Sequence, residues 1–144
     1  MRILAVDPGD KRIGLAISDP SGTIANPLKV LVHVSRLVDA AQIVDLAQEN
    51  DVSQIVVGVS LDADGIPTPQ GRKSLRMKEA IESQCSIPVT LWDEEGTTAA
   101  AQEARFQMGV VRQKRQGHMD DLAATVLLQR YLDGQAKQEN EETS

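Results

Sequence analysis

The stretch Arg2-Ile3-Leu4-Ala5-Val6-Asp7-Pro8-Gly9-Asp10-Lys11-Arg12-Ile13-Gly14-Leu15-Ala16-Ile17-Ser18 decides the architecture. Its first part, Arg2–Asp7, holds a continuous apolar run with β-branched members, the pattern of a strand buried on both faces. Asp7-Pro8-Gly9-Asp10 has turn composition, so the strand should end there. A second apolar run, Ile13–Ser18, reads as the return strand of a hairpin with a longer loop. Thr23–Val32 offers a third strand. Pro27 within it lacks a ladder donor, which suits an edge position or a bulge.

Beyond the third strand the period becomes helical. Ser35 is placed as an N-cap, and Leu37, Ala40, Ala41, Val44 and Ala47 recur at helical spacing up to Gln48 or Glu49. Ile43 widens that stripe and Leu46 falls opposite it. Gln54–Val59 reads as a strand, and Leu61–Gly71, with two Pro and two Gly, as a loop. Arg72–Gln84 has the pattern of a charged amphipathic helix. Ile87–Trp92 is a further strand, breaking at Asp93-Glu94-Glu95-Gly96. Thr97 or Thr98 should cap an Ala-rich helix running to about Met108, and a basic link, Val110–His118, leads to a last helix from Met119 to Leu132 with Gly134 as its stop. The order β-β-β-α-β-α-β-α, with an extra short helix before the last, predicts an α/β fold: a five-stranded mixed sheet flanked by helices on both faces. This is the element order of the RNase H-like architecture. One domain is expected over residues 1–134, followed by an acidic, disordered tail over 135–144 that contains Glu139, Glu141 and Glu142.

Composition narrows the function classes. Apolar residues make up 41% of the chain, enough for a real core, but aromatics are only 2%, which argues against recognition by base-stacking platforms. The single Cys85 excludes an internal disulfide and fits a reducing compartment. Met1 leads straight into a strand, and no apolar run approaches the roughly 20 residues of a membrane span. A cytoplasmic protein without a membrane partner is expected. The net charge of −6 lacks the broad basic footprint of a general nucleic-acid binder. A nucleic-acid function must therefore use its acids as metal ligands and find a local basic surface.

Both are present. Ligands collect at the carboxyl ends of parallel strands in open α/β sheets. Asp7 closes the first strand, Asp93 and Glu94 close the last, and Asp120 and Asp121 begin the final helix. Taken singly, each is a good turn or cap residue. Together, three segments offer hard oxygen ligands to one point, which suits Mg²⁺ or Mn²⁺ and not zinc. Asp7, Glu94 and Asp120 are the candidate catalytic and metal-binding residues, with Asp7 bridging two ions. Arg112, Lys114 and Arg115 form a basic patch just before Asp120 and are placed to hold a phosphate backbone. Lys11 and Arg12 are either phosphate contacts or solvated hairpin-tip charges. His118 is better explained by helix-start packing than by acid–base chemistry.

Asp7-Pro8-Gly9-Asp10-Lys11-Arg12-Ile13-Gly14-Leu15-Ala16 resembles the opening signature of the YqgF/RuvX family of pre-16S rRNA nucleases, also labelled Holliday junction resolvases. The resemblance continues through Gly58-Val59-Ser60-Leu61 with Asp64-Gly65, Trp92-Asp93-Glu94 with Thr97-Thr98, and Met119-Asp120-Asp121-Leu122-Ala123-Ala124. It implies an RNase H-like fold, an acidic triad at Asp7, Glu94 and Asp120, and trimming of the 5′ end of the 16S rRNA precursor during ribosome maturation. Two departures stand out. Glu95 and Gly96 occupy positions where the family carries Arg and Leu, and Gly58-Val59-Ser60-Leu61 stands for Gly-Leu-Pro-Leu. The expected partners are thus rRNA precursor and the ribosome, with branched DNA as the alternative for a junction resolvase, which would have to dimerise. A non-catalytic RNA-binding assembly module is the other alternative. An ATP-handling protein would need two such domains, and 144 residues supply one.

Overall fold

Arg2–Pro8 (β1) is the middle strand of one five-stranded sheet. Arg12–Ser18 (β2) pairs with it antiparallel on one side, and Ala25–Val32 (β3) pairs antiparallel with β2 to form that edge. On the other side Val52–Val59 (β4) lies parallel to β1, and Val89–Asp93 (β5) parallel to β4. Among the described residues three helices complete the elements: Arg36–Glu49 (α1), Pro69–Glu82 (α2) and Met119–Thr143 (α3). The computed structural model describes residues 1–93 and the helix 119–143, whose side chains are described from 122 to 136. The expected helix from Thr97 or Thr98 to Met108 and the basic link lie outside the described residues.

Alternation along β1 separates two apolar layers. Leu4 and Val6 face one way, where they join Ile13, Leu15, Ile55 and Val57, with Ala40, Ile43, Val44 and Ala47 of α1 and Met77, Ala80 and Ile81 of α2. Ile3 and Ala5 face the other way, where Ala16 and Val56 meet Ala124, Leu127, Leu128, Tyr131 and Leu132 of α3. A strand buried on both faces has to be continuously apolar, which is why β1 shows no polar alternation. The RNase H-like arrangement, a mixed sheet with helices on both faces, is the one the sequence predicts.

The differences are local. The α2 helix starts at Pro69, three residues before the expected Arg72, because the Thr68 side chain accepts from the Gly71 amide (3.1 Å) and a proline in the first turn has no amide to lose. Ser35 does cap α1, accepting from Val38 N (3.3 Å). Leu37, although in phase with the buried stripe, is 63% exposed, since it stands in the first turn ahead of the residues that meet the sheet. Leu46 packs against the core instead of opposing it. Gly134 does not stop α3, whose backbone continues to Thr143 through the segment expected to be disordered. There the missing side chain has a packing role: a Cβ at Gly134 would come within 3.4 Å of the Trp92 ring. Pro27 falls where the β2–β3 register shifts, on the edge strand.

The turn joining β2 to β3 depends on one carboxylate. Asp19 Oδ1 accepts from the amides of Thr23 (2.8 Å) and Ile24 (3.0 Å), and the Ser21 hydroxyl donates to Oδ2. These donors, the Ile24 amide foremost, then Ser21 and Thr23, hold the carboxyl at about 2, below its ordinary 3.8. A depressed folded value means that the stabilisation is complete above pH 3.8 and is lost as the pH falls through 2. Carboxyl titration followed by NMR should therefore place the Asp19 midpoint near 2 in the folded chain. A midpoint at the ordinary value would show the turn to be open in solution.

Candidate active site

Asp7 is the penultimate residue of β1 and pairs with Gly14 of β2. Continuing the alternation of Ile3 and Ala5, its side chain belongs to the α3 face of the sheet. Gly58 lies one residue beyond the Val6–Val57 pair on the other neighbouring strand. The half-buried Asp7 carboxylate therefore projects from a row in which both adjoining positions lack side chains. On β5, Trp92 pairs with Gly58 and Asp93 with Val59, so Asp93 ends its strand at the same rim of the sheet. Glu94, the next residue, lies outside the described residues.

The direction of α3 matters for Asp120. Tyr131 packs edge-on against Trp92 (ring centroids 5.4 Å apart), and its hydroxyl accepts from Gln54 Nε2 (2.8 Å) near the start of β4. Leu132, Asp133 and Gln135 line a cavity with Met1 and Ile3 at the start of β1. The far part of α3 thus lies over the beginning of β1, and the helix runs antiparallel to that strand. From Leu132 back to Asp120 is about 18 Å at about 1.5 Å per residue. From Ile3 to Asp7 is about 13 Å at about 3.3 Å per residue. The first turn of α3, which includes Asp120, is thereby carried toward the rim where β1 ends. The Asp120 side chain is not among the described ones. No group of three His, Cys, Asp or Glu able to hold a metal occurs among the described residues. Asp7 nevertheless fits such a group chemically, as a half-buried oxygen donor at a strand end.

The hairpin after Asp7 is tight. The Gly9 amide donates to Arg12 O (2.9 Å), and a Cβ at Gly9 would stand 2.5 Å from that carbonyl oxygen. Close backbone approach therefore requires glycine there, whether or not an anion ever meets the loop. Lys11 and Arg12 are exposed at the tip and line a shallow depression with Gly9 and Asp10. Two side chains of α2 tie the hairpin down: Gln70 donates to Pro8 O and Lys73 pairs with Asp10. The Lys73 ammonium, through its hydrogen bond and its charge, lowers the Asp10 carboxyl below its ordinary value. Gln70 and Lys73 did not figure among the sequence candidates. Their i,i+3 spacing puts them on one helix face, but nothing local names the loop they reach. Arg112, Lys114 and Arg115 lie outside the described residues.

The RuvX family, described as Holliday junction resolvase, matches residues 1–134. The chain belongs to the RuvX family. A relative from Thermoanaerobacter pseudethanolicus, named "Putative pre-16S rRNA nuclease", is 43% identical over 136 residues, covering 94% of this chain and 98% of its own. A relative of the same name from Syntrophus aciditrophicus is 41% identical, covering 92% and 89%. Among solved structures, Thermus thermophilus RuvC in complex with Holliday junction substrate superposes with a TM-score of 0.55 at 15% identity, over 94% of this chain and 96% of that one. The fowlpox virus Holliday junction resolvase gives 0.55 at 16%, over 93% and 99%. At such identities these likenesses speak for the fold alone. As a RuvX-family member, the chain is a nuclease, a hydrolase of phosphodiester bonds in nucleic acid. No helix among the described residues is long and apolar enough to cross a membrane.

Proposed function

We propose that this chain is a divalent-metal-dependent endonuclease acting on structured RNA, with the 5′ extension of the 16S rRNA precursor as its substrate. The observation that carries the reading is Asp7 at the end of the central strand, on the face toward which the first turn of α3 is directed. Glu94 follows the β5 strand end and Asp120 belongs to that first turn, so three chain segments supply the acids Asp7, Glu94 and Asp120. These oxygen donors are the ones that Mg²⁺ or Mn²⁺ takes. When bound, such ions activate a water and stabilise the leaving oxygen. The protein's own part is to hold Asp7 on a strand paired on both sides, with Gly14 and Gly58 as its cross-strand neighbours. Lys11 and Arg12 at the hairpin tip, and Arg112, Lys114 and Arg115 before α3, are the proposed phosphate contacts that offset the net charge of −6. The names of the curated relatives favour rRNA precursor as the substrate and cytoplasmic ribosome maturation as the setting.

The family description favours a second reading, in which the same acids cut branched DNA. One experiment addresses both. Purified protein with Mg²⁺ or Mn²⁺ is offered a 5′-extended 16S precursor fragment and, separately, a four-way DNA junction. Cleavage of the RNA that stops on adding a chelator is the expected result. Cutting of the junction alone would transfer the assignment to the resolvase reading. Inertness toward both, or cutting that survives the chelator, would sink the metal-dependent mechanism.

A further inference from the structure

A second polar constellation lies on the opposite face of the sheet from the Asp7 side chain, below the same hairpin. A cavity of about 180 Å³ is lined there by Asp10, His33, Arg36, Asp39, Lys73 and Arg76, with Ile13 and Met77 among its walls. Asp39 is completely buried; its Oδ1 accepts from the Val34 amide (3.0 Å), and its Oδ2 lies 2.5 Å from His33 Nδ1. That contact fixes the imidazole by one nitrogen and leaves Nε2 for another partner. The other carboxylate, Asp10, is paired with Lys73. Both acids are thus already matched, whereas Arg36 and Arg76 have no ion-pair partner among the described residues.

We infer that this cavity is a phosphate site, which holds a backbone phosphate of the nucleic acid at a distance from the bond being cut. Two guanidiniums without an ion-pair partner among the described residues, with a tethered imidazole, form the donor set that recognises a tetrahedral oxyanion. Ile13 and Met77 form the apolar floor of the cavity, while His33, Arg36, Lys73 and Arg76 are exposed around it, open to an anion arriving from solvent. The volume equals several water molecules of about 30 Å³ each, room for one phosphate group. The hairpin Gly9–Arg12 separates this cavity from the Asp7 face, so a strand crossing the hairpin tip meets Lys11 and Arg12 between the two. The assignment of the phosphate to nucleic acid rests on the nuclease reading; the anion site itself rests on the cavity.

The test compares the full chain with the double variant Arg36→Ala/Arg76→Ala, using precursor RNA at several salt concentrations. The variant should bind RNA roughly tenfold more weakly or worse. The slope of log affinity against log salt should become shallower by about one. A control that removes two cations elsewhere, Lys29→Ala/Lys78→Ala, should move affinity less than about threefold, because charges outside a contact are screened. Unchanged RNA affinity and slope in the Arg variant would overturn the site, as would an equal loss in the control. If wild type binds no RNA, the RNA-substrate reading fails and inorganic phosphate becomes the probe. Shifts of the His33 NMR signals on adding phosphate, absent in the Arg variant, would then support the anion site. Silence of those signals would overturn it.

Discussion

Asp7→Asn is expected to lower metal-dependent RNA cleavage by more than about a hundredfold while leaving the fold intact. Partners that merely orient a metal ligand are worth 10–100-fold in affinity or activity, so removing a ligand's charge should exceed that. The substitution keeps the shape of the side chain and removes one negative charge from a half-buried position on β1. Circular dichroism and the melting temperature should therefore match wild type within a few degrees. RNA binding should persist, because the proposed phosphate contacts lie elsewhere. Cleavage by the variant at the wild-type rate would show that the activity belongs to another site.

The second large effect concerns stability. Gly71→Ala would place a Cβ 2.2 Å from the Ser60 carbonyl oxygen and 3.2 Å from Pro67 Cβ. The nearest obstacle is backbone and cannot rotate away. Overpacking of this kind costs about 1–3 kcal/mol and sometimes more, and the upper end is expected here. For a chain of this length a loss of about 3 kcal/mol lowers the melting temperature by roughly 10 °C. Urea unfolding checks it. A loss below about 1 kcal/mol would mean that the segment from Ser60 to Gly71 yields easily. Gly71 also donates to the Thr68 cap and follows Gln70, which holds Pro8 O, so part of the damage should reach the hairpin beside Asp7.

Those two glycine contacts illustrate what the sequence could and could not convey. Periodicity revealed the strands and α1 because each buries a face that composition must match, and Ser35 was readable because a cap acts within one turn. Pro69 misled because a residue that breaks a helix interior also starts one well. Gly134 misled for a related reason: its missing side chain accommodates the Trp92 ring, 42 residues earlier in the chain, and ends nothing. Asp7 was legible as a strand-end acid. The bare positions on either side of it were not, since Gly14 and Gly58 become its neighbours only through the register of three strands. Nor does any local pattern announce that His33 is tethered to a buried Asp39, because both would pass for ordinary surface residues at a helix start.

The central place of β1 has a consequence for motion. Local opening of a sheet begins at elements with a free side and reaches last the strand paired on both. Among the described residues β3 and β5 have one neighbouring strand each, while β1 has β2 and β4. The amides around Asp7 should thus be among the slowest to exchange with solvent. The Asp7 carboxylate is thereby carried on the part of the sheet that opens last, a fixed point against which the edge strands can move.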